Sequence, residues 1–124
     1  MSRSIIKTSK APAPVGPYSQ AVRCGNLLFV SGQIPLDPEN GELVLNSFAE
    51  QCHRVLLNLK LILEAGGSNL ERVLKVTIYM KNWCLNHLSD FSAVWSRTAI
   101  MRHCCKTNLV IDNKMNSSTS FKTS

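Results

Sequence analysis

The clearest apolar pattern in this chain is helical and follows Ser47. Ser47 with Glu50 three residues later is typical of a capping box, and Gly66-Gly67 is a common way for a helix to end. These signals predict a helix between them. Its apolar face has three- and four-residue spacing and consists of Phe48, Cys52, Val55, Leu56, Leu59, Ile62 and Leu63. Its other faces hold Gln51, Arg54, Asn58 and Lys60.

Alternation of apolar and polar residues predicts strands on both sides of this helix. From Val73 to Lys81 every second residue is apolar, so Leu74 and the residues that follow it at this spacing share one face. Leu27 to Ser31 also alternates. With Ser19 to Arg23 it forms a predicted hairpin around a turn at Cys24-Gly25-Asn26.

Weaker signals complete the expected set of elements. Ile5 to Thr8 is a short strand candidate, and Glu42 to Leu45 is another, after a turn at Asp37 to Gly41. A second helix is expected to begin near Ser89, with apolar residues along one side. Together these elements indicate a protein that mixes helix and sheet.

Length and hydropathy bound the class of protein. A chain of 124 residues with 44% hydrophobic residues is enough for one domain with a single core. Its mean hydropathy of -0.01 is typical of a globular protein. No apolar run approaches the roughly 20 residues that span a bilayer, so no membrane partner is expected.

The net charge of +6 is unevenly distributed along the chain. Residues 1–95 hold nine basic and seven acidic side chains, whereas residues 96–124 hold five basic and one acidic. The basic residues of this last part are widely spaced and have no aromatic platform among them. The distribution favours a solvated tail over a nucleic-acid surface, and nucleic acid stays only an alternative partner.

Cysteine and histidine usage argues against disulfides and metal. Five cysteines in a chain without a secretory signal predict reduced thiols in the cytoplasm. The first ten residues carry basic but no acidic side chains, so a mitochondrial location stays an alternative. The three histidines lack metal-ligand spacing, and we expect no metal.

Candidate site residues lie at the two ends of the predicted hairpin. Pro17 fixes the backbone before Tyr18, and Gly32 would allow a sharp bend after Ser31. A tyrosine with a polar tip and a Ser-Gly corner would therefore lie at opposite chain ends of one hairpin, an arrangement that could line a small polar pocket. The same residues also occur in purely structural turns, and this pattern alone leaves both interpretations open.

Two longer stretches identify a family. The run GPYSQA, followed by VSGQIPLDP, resembles the RidA family, also known as the YjgF or UK114 family, whose members are reactive-intermediate imine deaminases. The resemblance extends from about Ile5 to Val94. It implies an α/β (α+β) fold of the RidA-like, chorismate-mutase-like type, in which a mixed β-sheet carries two helices on one face. It also implies a homotrimer with sites in the clefts between subunits.

The resemblance implies a chemistry as well. Family members hydrolyse 2-iminobutanoate or 2-iminopropanoate to a 2-keto acid and ammonia, without cofactor or metal. An Arg in a Pro-Ala-Arg segment pairs with the substrate carboxylate, and a Glu on the final strand activates water. Tyr18, Ser31 and Gly32 match the residues that shape the substrate pocket.

The resemblance ends after Val94. Trp95 stands where the family has a site-lining Asn, and no acidic residue follows Asp112. Arg102 only faintly resembles the family's Arg segment. We therefore expect a family domain at residues 1–95 and a divergent, poorly ordered tail at 96–124, with the last two family strands missing. A different exon or reading frame joined after Val94 would explain the change.

Three functions stay open, and with them the question of whether this chain is an enzyme. The first is an imine deaminase that is impaired because the Arg and Glu are absent. The second is a non-catalytic oligomeric variant that binds a ligand. The third is an RNA-directed translation inhibitor or ribonuclease, which rests on family analogy alone.

Overall fold

The computed structural model describes residues 2–80, 106–113 and 117–123, which belong to two compact units, Met1–Asn69 and Leu70–Ser124. The first unit contains strands β1 (Arg3–Ile6), β2 (Ala21–Cys24) and β3 (Leu27–Val30), followed by helix α1 (Phe48–Ala65). The second unit contains a 3-10 turn (Leu70–Arg72) and strands β4 (Lys75–Met80), β5 (Lys106–Asn113) and β6 (Ser117–Thr123).

The predicted hairpin is present, with a tighter turn than expected. Strands β2 and β3 pair antiparallel, and Cys24 pairs with Leu27 across a two-residue turn. Gly25 in that turn has a φ of 57°, which a glycine adopts without strain. The prediction that Cys24 belongs to the turn is wrong, because its backbone continues the ladder of β2.

Strand β1 pairs antiparallel with β2, so the first sheet has the order β1-β2-β3. It ends at Ile6, two residues earlier than predicted. The reason is visible at Thr8, whose backbone N–H and C=O bond the side chain of Gln20 and not a neighbouring strand.

Helix α1 confirms the strongest prediction. The Ser47 hydroxyl accepts a hydrogen bond from the N–H of Glu50 at 3.2 Å, which caps the first turn. At the other end, Ser68 N–H bonds Leu63 C=O and Gly67 N–H bonds Glu64 C=O, with Gly67 at a φ of 74°. This is the Schellman arrangement that terminates a helix on glycine.

The core of the first unit lies between this helix and one face of the sheet. Ile6, Ala21 and Val30 form one row across the three strands, because they are partners in the β1-β2-β3 register. Ile62 of α1 is fully buried with Ala21 and Ala11, and Ile6 and Val30 pack against them. The helix and the sheet therefore share one small hydrophobic core.

The opposite face of this sheet is apolar and open. Ile5, Val22 and Phe29 form a second row in the same register. Ile5 is 61% and Phe29 60% exposed, and Leu27, one row along, is 50% exposed. The predicted alternation of β3 is confirmed, and the structure places Leu28 and Val30 inside and Leu27 and Phe29 outside.

The second unit overturns the expectation that the last two strands are missing. Strand β5 runs parallel to β4, with Lys75 paired with Lys106, and β6 runs antiparallel to β5. The apolar segment Leu109–Ile111 lies within β5. The prediction failed because the Ser, Thr and Asn content suggested a loop. Thr107, Leu109 and Ile111 nevertheless alternate, and pairing with β4 supplies the hydrogen-bonding partner that a polar segment lacks alone.

Strand β4 begins at Lys75, two residues later than predicted. Val76 and Ile78 are partly buried and alternate with the exposed Lys75 and Thr77, whereas Leu74, before the strand, is 60% exposed. The predicted second helix, Trp95 and Arg102 lie outside the described residues. Within the described part of the chain, no helix is both long and apolar enough to cross a membrane.

Candidate functional site

A depression in the first unit lies between two irregular segments. One wall is the connector after β1, and the other is the chain that follows β3. The depression is open to solvent, and the cavity within it has a volume of about 20 Å³. Its lining consists of uncharged residues: Pro12, Ala13, Pro14, Val15, Tyr18, Gln20, Gly32, Gln33, Ile34 and Leu36.

Tyr18 lines this depression with a phenol that is fixed by short-range contacts. Tyr18 is 46% exposed, and its phenol oxygen accepts a hydrogen bond from Val15 N–H at 3.3 Å. Its N–H bonds Gly16 C=O at 2.8 Å, and a Cβ on Gly16 would lie 3.2 Å from the ring. The phenol proton is not used in the Val15 bond, so Tyr18 can donate it to a ligand.

Gly32 lines the same depression, for a different reason than predicted. It is not among the described glycines with positive φ, and the chain has no bend or turn at this residue, so the expected sharp bend is wrong. A Cβ built on it meets no atom within 4 Å. The absence of a side chain keeps this part of the depression open.

Ser31 lies beside the depression and bonds the protein's own backbone. Its hydroxyl donates to Ser19 C=O at 2.5 Å, and its N–H donates to Gln20 C=O at 3.0 Å. The sequence-predicted residues are thus brought together at one end of the hairpin, where Tyr18 and Gly32 line the space and Ser31 closes the strands. Contact of Ser31 with a substrate stays a prediction.

Gln20 belongs to the site and was missed by the sequence analysis. It is 4% exposed, and its side-chain nitrogen donates to the carbonyls of Thr8 at 3.0 Å, Pro12 at 2.9 Å and Ala11 at 3.4 Å. Its side-chain oxygen accepts from Thr8 N–H at 2.7 Å. A signal was present in the sequence, because a connector with two prolines lacks backbone donors and needs a polar neighbour.

The prediction that Asn58 lies on a polar face of α1 is wrong. Asn58 is completely buried. Its side-chain nitrogen donates to the carbonyls of Ile34 at 3.3 Å and Leu36 at 2.9 Å. Asn58 lies four residues before Ile62, on the core side of the helix. That spacing is the signal that could have identified it.

The wall held by Asn58 continues into a closed loop. Leu36 and Leu43 form an isolated bridge, and Val44 N–H bonds Pro35 C=O at 2.8 Å. Gly41, at a φ of 72°, donates to Asp37 C=O at 2.9 Å, which confirms the predicted turn. The predicted strand from Glu42 to Leu45 is reduced to the single bridge at Leu43.

The depression has no positively charged side chain in its lining. None of its lining residues carries a charge, so a carboxylate placed there would not find an ion-pair partner among them. Within the described ranges, no three His, Cys, Asp or Glu side chains converge where they could hold a metal. The chemistry that these residues offer is hydrogen bonding from a phenol, amides and backbone beside an apolar surface.

Comparison with known proteins decides the family. A sequence model of the Endoribonuclease L-PSP family matches residues 8–110. The chain belongs to the RidA/YjgF family. The match to the family model continues past Val94 and ends at residue 110, within β5.

Individual relatives agree with this assignment. A RutC family protein of Pyrococcus abyssi is 50% identical over 96 residues, which are 77% of this chain and 74% of that protein. The 2-iminobutanoate/2-iminopropanoate deaminase of Mus musculus is 40% identical over 92 residues, 74% of this chain and 64% of that enzyme. The crystal structure of E. coli TdcF with bound serine matches with a TM-score of 0.79 and 27% identity, over 96% of this chain and 93% of TdcF.

Proposed function

We propose that this RidA-family chain binds a small 2-imino acid in the Tyr18–Gly32 depression and hydrolyses it poorly. The observation that carries the proposal is the convergence of the Tyr18 phenol and the open space at Gly32 in one depression. The mouse relative is named as a deaminase of such substrates, and the related TdcF was crystallised with serine, which has a similar small carbon skeleton.

The lining supports binding better than it supports hydrolysis. Proline, alanine, isoleucine and leucine side chains offer contact to a short aliphatic group, and the phenol offers a hydrogen bond to a polar one. Hydrolysis of an imine requires more. Water must add to the C=N carbon, and protons must move from that water and to the departing amine.

The residues that the family resemblance assigns to those proton transfers and to the carboxylate are absent from the matching positions. Strand β6 has the sequence Ser-Ser-Thr-Ser-Phe-Lys-Thr, without an acid, and no Pro-Ala-Arg segment precedes β5. Loss of a general acid–base group lowers rates by roughly 10²–10⁴-fold. The proposal is therefore a ligand-binding protein with residual hydrolysis at most.

The proposed assembly is a homotrimer, as in the family. The open row of Ile5, Val22 and Phe29 supports it, because a cross-strand apolar row with two residues about 60% exposed is costly for an isolated subunit to leave in water. Further copies of this chain would cover it. Size-exclusion chromatography with light scattering tests the assembly directly.

The first experiment measures hydrolysis. 2-Iminobutanoate is generated continuously by an amino-acid oxidase and trapped by a competing nucleophile, and a deaminase lowers the amount trapped. The mouse deaminase is the positive control, and the reaction without either protein is the baseline. We expect the rate of this chain to be about 1% of the mouse rate or lower, in line with the roughly 10²–10⁴-fold loss above. A rate equal to that of the mouse enzyme overturns the impairment.

The second experiment measures binding. 2-Oxobutanoate is a stable analogue of the imine, and its affinity is measured by titration calorimetry for the wild type and for Tyr18→Phe. We expect binding in the wild type and weaker binding in the variant, because the hydroxyl that would donate to the ligand is removed, together with the bond that it accepts from Val15 N–H. No binding by a folded wild-type protein refutes the proposed function. Salt-sensitive binding or cleavage of RNA would then favour the RNA-directed alternative.

A further inference from the structure

Two amide side chains inside the first unit have an unusual position. Gln20 and Asn58 are the two buried polar side chains among the described residues, at 4% and 0% exposure. Each of them bonds backbone atoms of a different wall of the depression. Buried polar groups are expensive unless they are hydrogen-bonded, so both side chains are constrained to the bonds they make.

Gln20 holds the wall formed by the connector. Pro12 and Pro14 have no N–H, which leaves this segment poor in donors of its own. The amide of Gln20 bonds both N–H and C=O of Thr8 and then reaches the carbonyls of Ala11 and Pro12. One side chain thus replaces the sheet pairing that ends at Ile6 and holds the connector beside Tyr18.

Asn58 holds the opposite wall. Its nitrogen donates to Ile34 C=O and Leu36 C=O, 24 and 22 residues away in the chain. Pro35 between them has no N–H, so this segment also depends on a donor from outside. Because α1 is capped at both ends and packed on the core, Asn58 ties an irregular wall to a rigid element.

Arg54 fixes the direction in which Asn58 points. Its Nε donates to the side-chain oxygen of Asn58 at 3.0 Å, one helical turn away. With the oxygen engaged by a cation, the nitrogen is the atom that faces the two carbonyls. A reversed amide would place oxygen against oxygen and nitrogen against the guanidinium, which is repulsive at both ends.

We propose that Gln20 and Asn58 are positioning residues that set the separation of the two walls and so the affinity of the depression for its ligand. The inference rests on the proposed function of that depression. Neither wall belongs to a helix or a strand, and these amides supply long-range hydrogen bonds that connect each wall to the folded core. Neither amide has to touch the ligand for this role.

Isosteric apolar substitutions provide the test. Gln20→Met and Asn58→Leu keep the side-chain size and remove the hydrogen bonds. Arg54→Met keeps the donors of Asn58 and removes the group that orients them, so its effect should be intermediate. Gln51→Met and the exposed Asn46→Leu are matched controls for the loss of an amide elsewhere in the unit.

Amide hydrogen exchange without ligand separates positioning from general destabilisation. The reporters are Val15 N–H on the first wall and Leu36 N–H on the second, whose acceptors are Tyr18 and Ile34 and not the substituted side chains. Gln20→Met should accelerate exchange at Val15 only, and Asn58→Leu at Leu36 only. Amides of β2 and α1 should keep their protection. Uniform acceleration, or none, overturns the inference.

Affinity for 2-oxobutanoate, measured at a temperature where every variant is folded by circular dichroism, gives the second readout. We expect Kd to rise about tenfold in either amide variant and to stay unchanged in both controls. Unchanged Kd with a lower Tm would assign the amides a purely structural role and refute the inference. If the wild type itself binds nothing, the proposed function fails, and the exchange pattern still decides whether the amides position the walls.

Discussion

The hydroxyl of Ser31 donates a hydrogen bond to the carbonyl oxygen of Ser19, with 2.5 Å between the two oxygens. The bond spans the open end of the hairpin, just beyond the last paired residues, Ala21 and Val30. Together with the bond from Ser31 N–H to Gln20 C=O, it joins the two strands where the ladder has stopped. Tyr18 and Gly32, one residue further out on each side, are thereby held at the same depression.

Ser31→Ala should destabilise the protein, since it removes a partly buried hydrogen bond and leaves the Ser19 carbonyl without that donor. The expected loss is about 1 kcal/mol in the free energy of unfolding, measured by urea denaturation. Ser2→Ala, at an exposed position, is the control and should have no effect. Equal stability of Ser31→Ala and the wild type would show that the bond contributes nothing.

Gly32→Ala should separate binding from stability. The backbone at Gly32 is not in the left-handed region and a Cβ meets no atom within 4 Å, so alanine fits without strain. Stability should be unchanged or rise by up to about 1 kcal/mol, because alanine restricts the unfolded chain. The added methyl group occupies the depression, and calorimetry should detect weaker binding of 2-oxobutanoate. Unaltered affinity would place the ligand elsewhere.

The sequence was most informative where a structural signal is local. Helix α1 could be predicted because its cap at Ser47, its apolar spacing and its terminal Gly66-Gly67 are all contained within one segment. The hairpin could be predicted for the same reason, with the error of one residue at Cys24. The family motifs then located Tyr18 and Gly32, which the structure brings to one depression.

The sequence was least informative where a residue's partner is distant. Asn58 looks like a polar-face residue until Ile34 and Leu36, more than 20 residues away, provide its acceptors. The role of Gln20 could not be predicted either, because its hydrogen-bond partners lie in the folded connector. Strands β5 and β6 could not be predicted because their polar composition needs β4 beside it. Their presence also changes the argument on function, since the scaffold is present while the acid expected on the last strand is not.

Gly66→Ala should be destabilising through contact with the sheet. A Cβ on Gly66 would lie 2.6 Å from one methyl carbon of Leu28, so the leucine must leave its position. Overpacking of this kind costs about 1–3 kcal/mol. Leu28→Ala alone also destabilises by opening a cavity, and the double variant should lose less than the two single losses combined. Additive losses in thermal unfolding would show that the two residues do not interact.

Phe29→Lys should dissociate the proposed trimer without unfolding the subunit. Phe29 is 60% exposed and lies in the outward row with Ile5 and Val22, on the sheet face opposite to the core, so the subunit does not need it for its own packing. At a subunit interface, however, a lysine in each copy would be desolvated without an ion-pair partner. Light scattering after size exclusion should therefore give the mass of one chain, with the circular dichroism of the wild type. Leu45→Lys, in a loop and 73% exposed, is the matched control and should remain trimeric. If Phe29→Lys keeps the wild-type mass, this face does not form the interface, and the exposed row requires another partner.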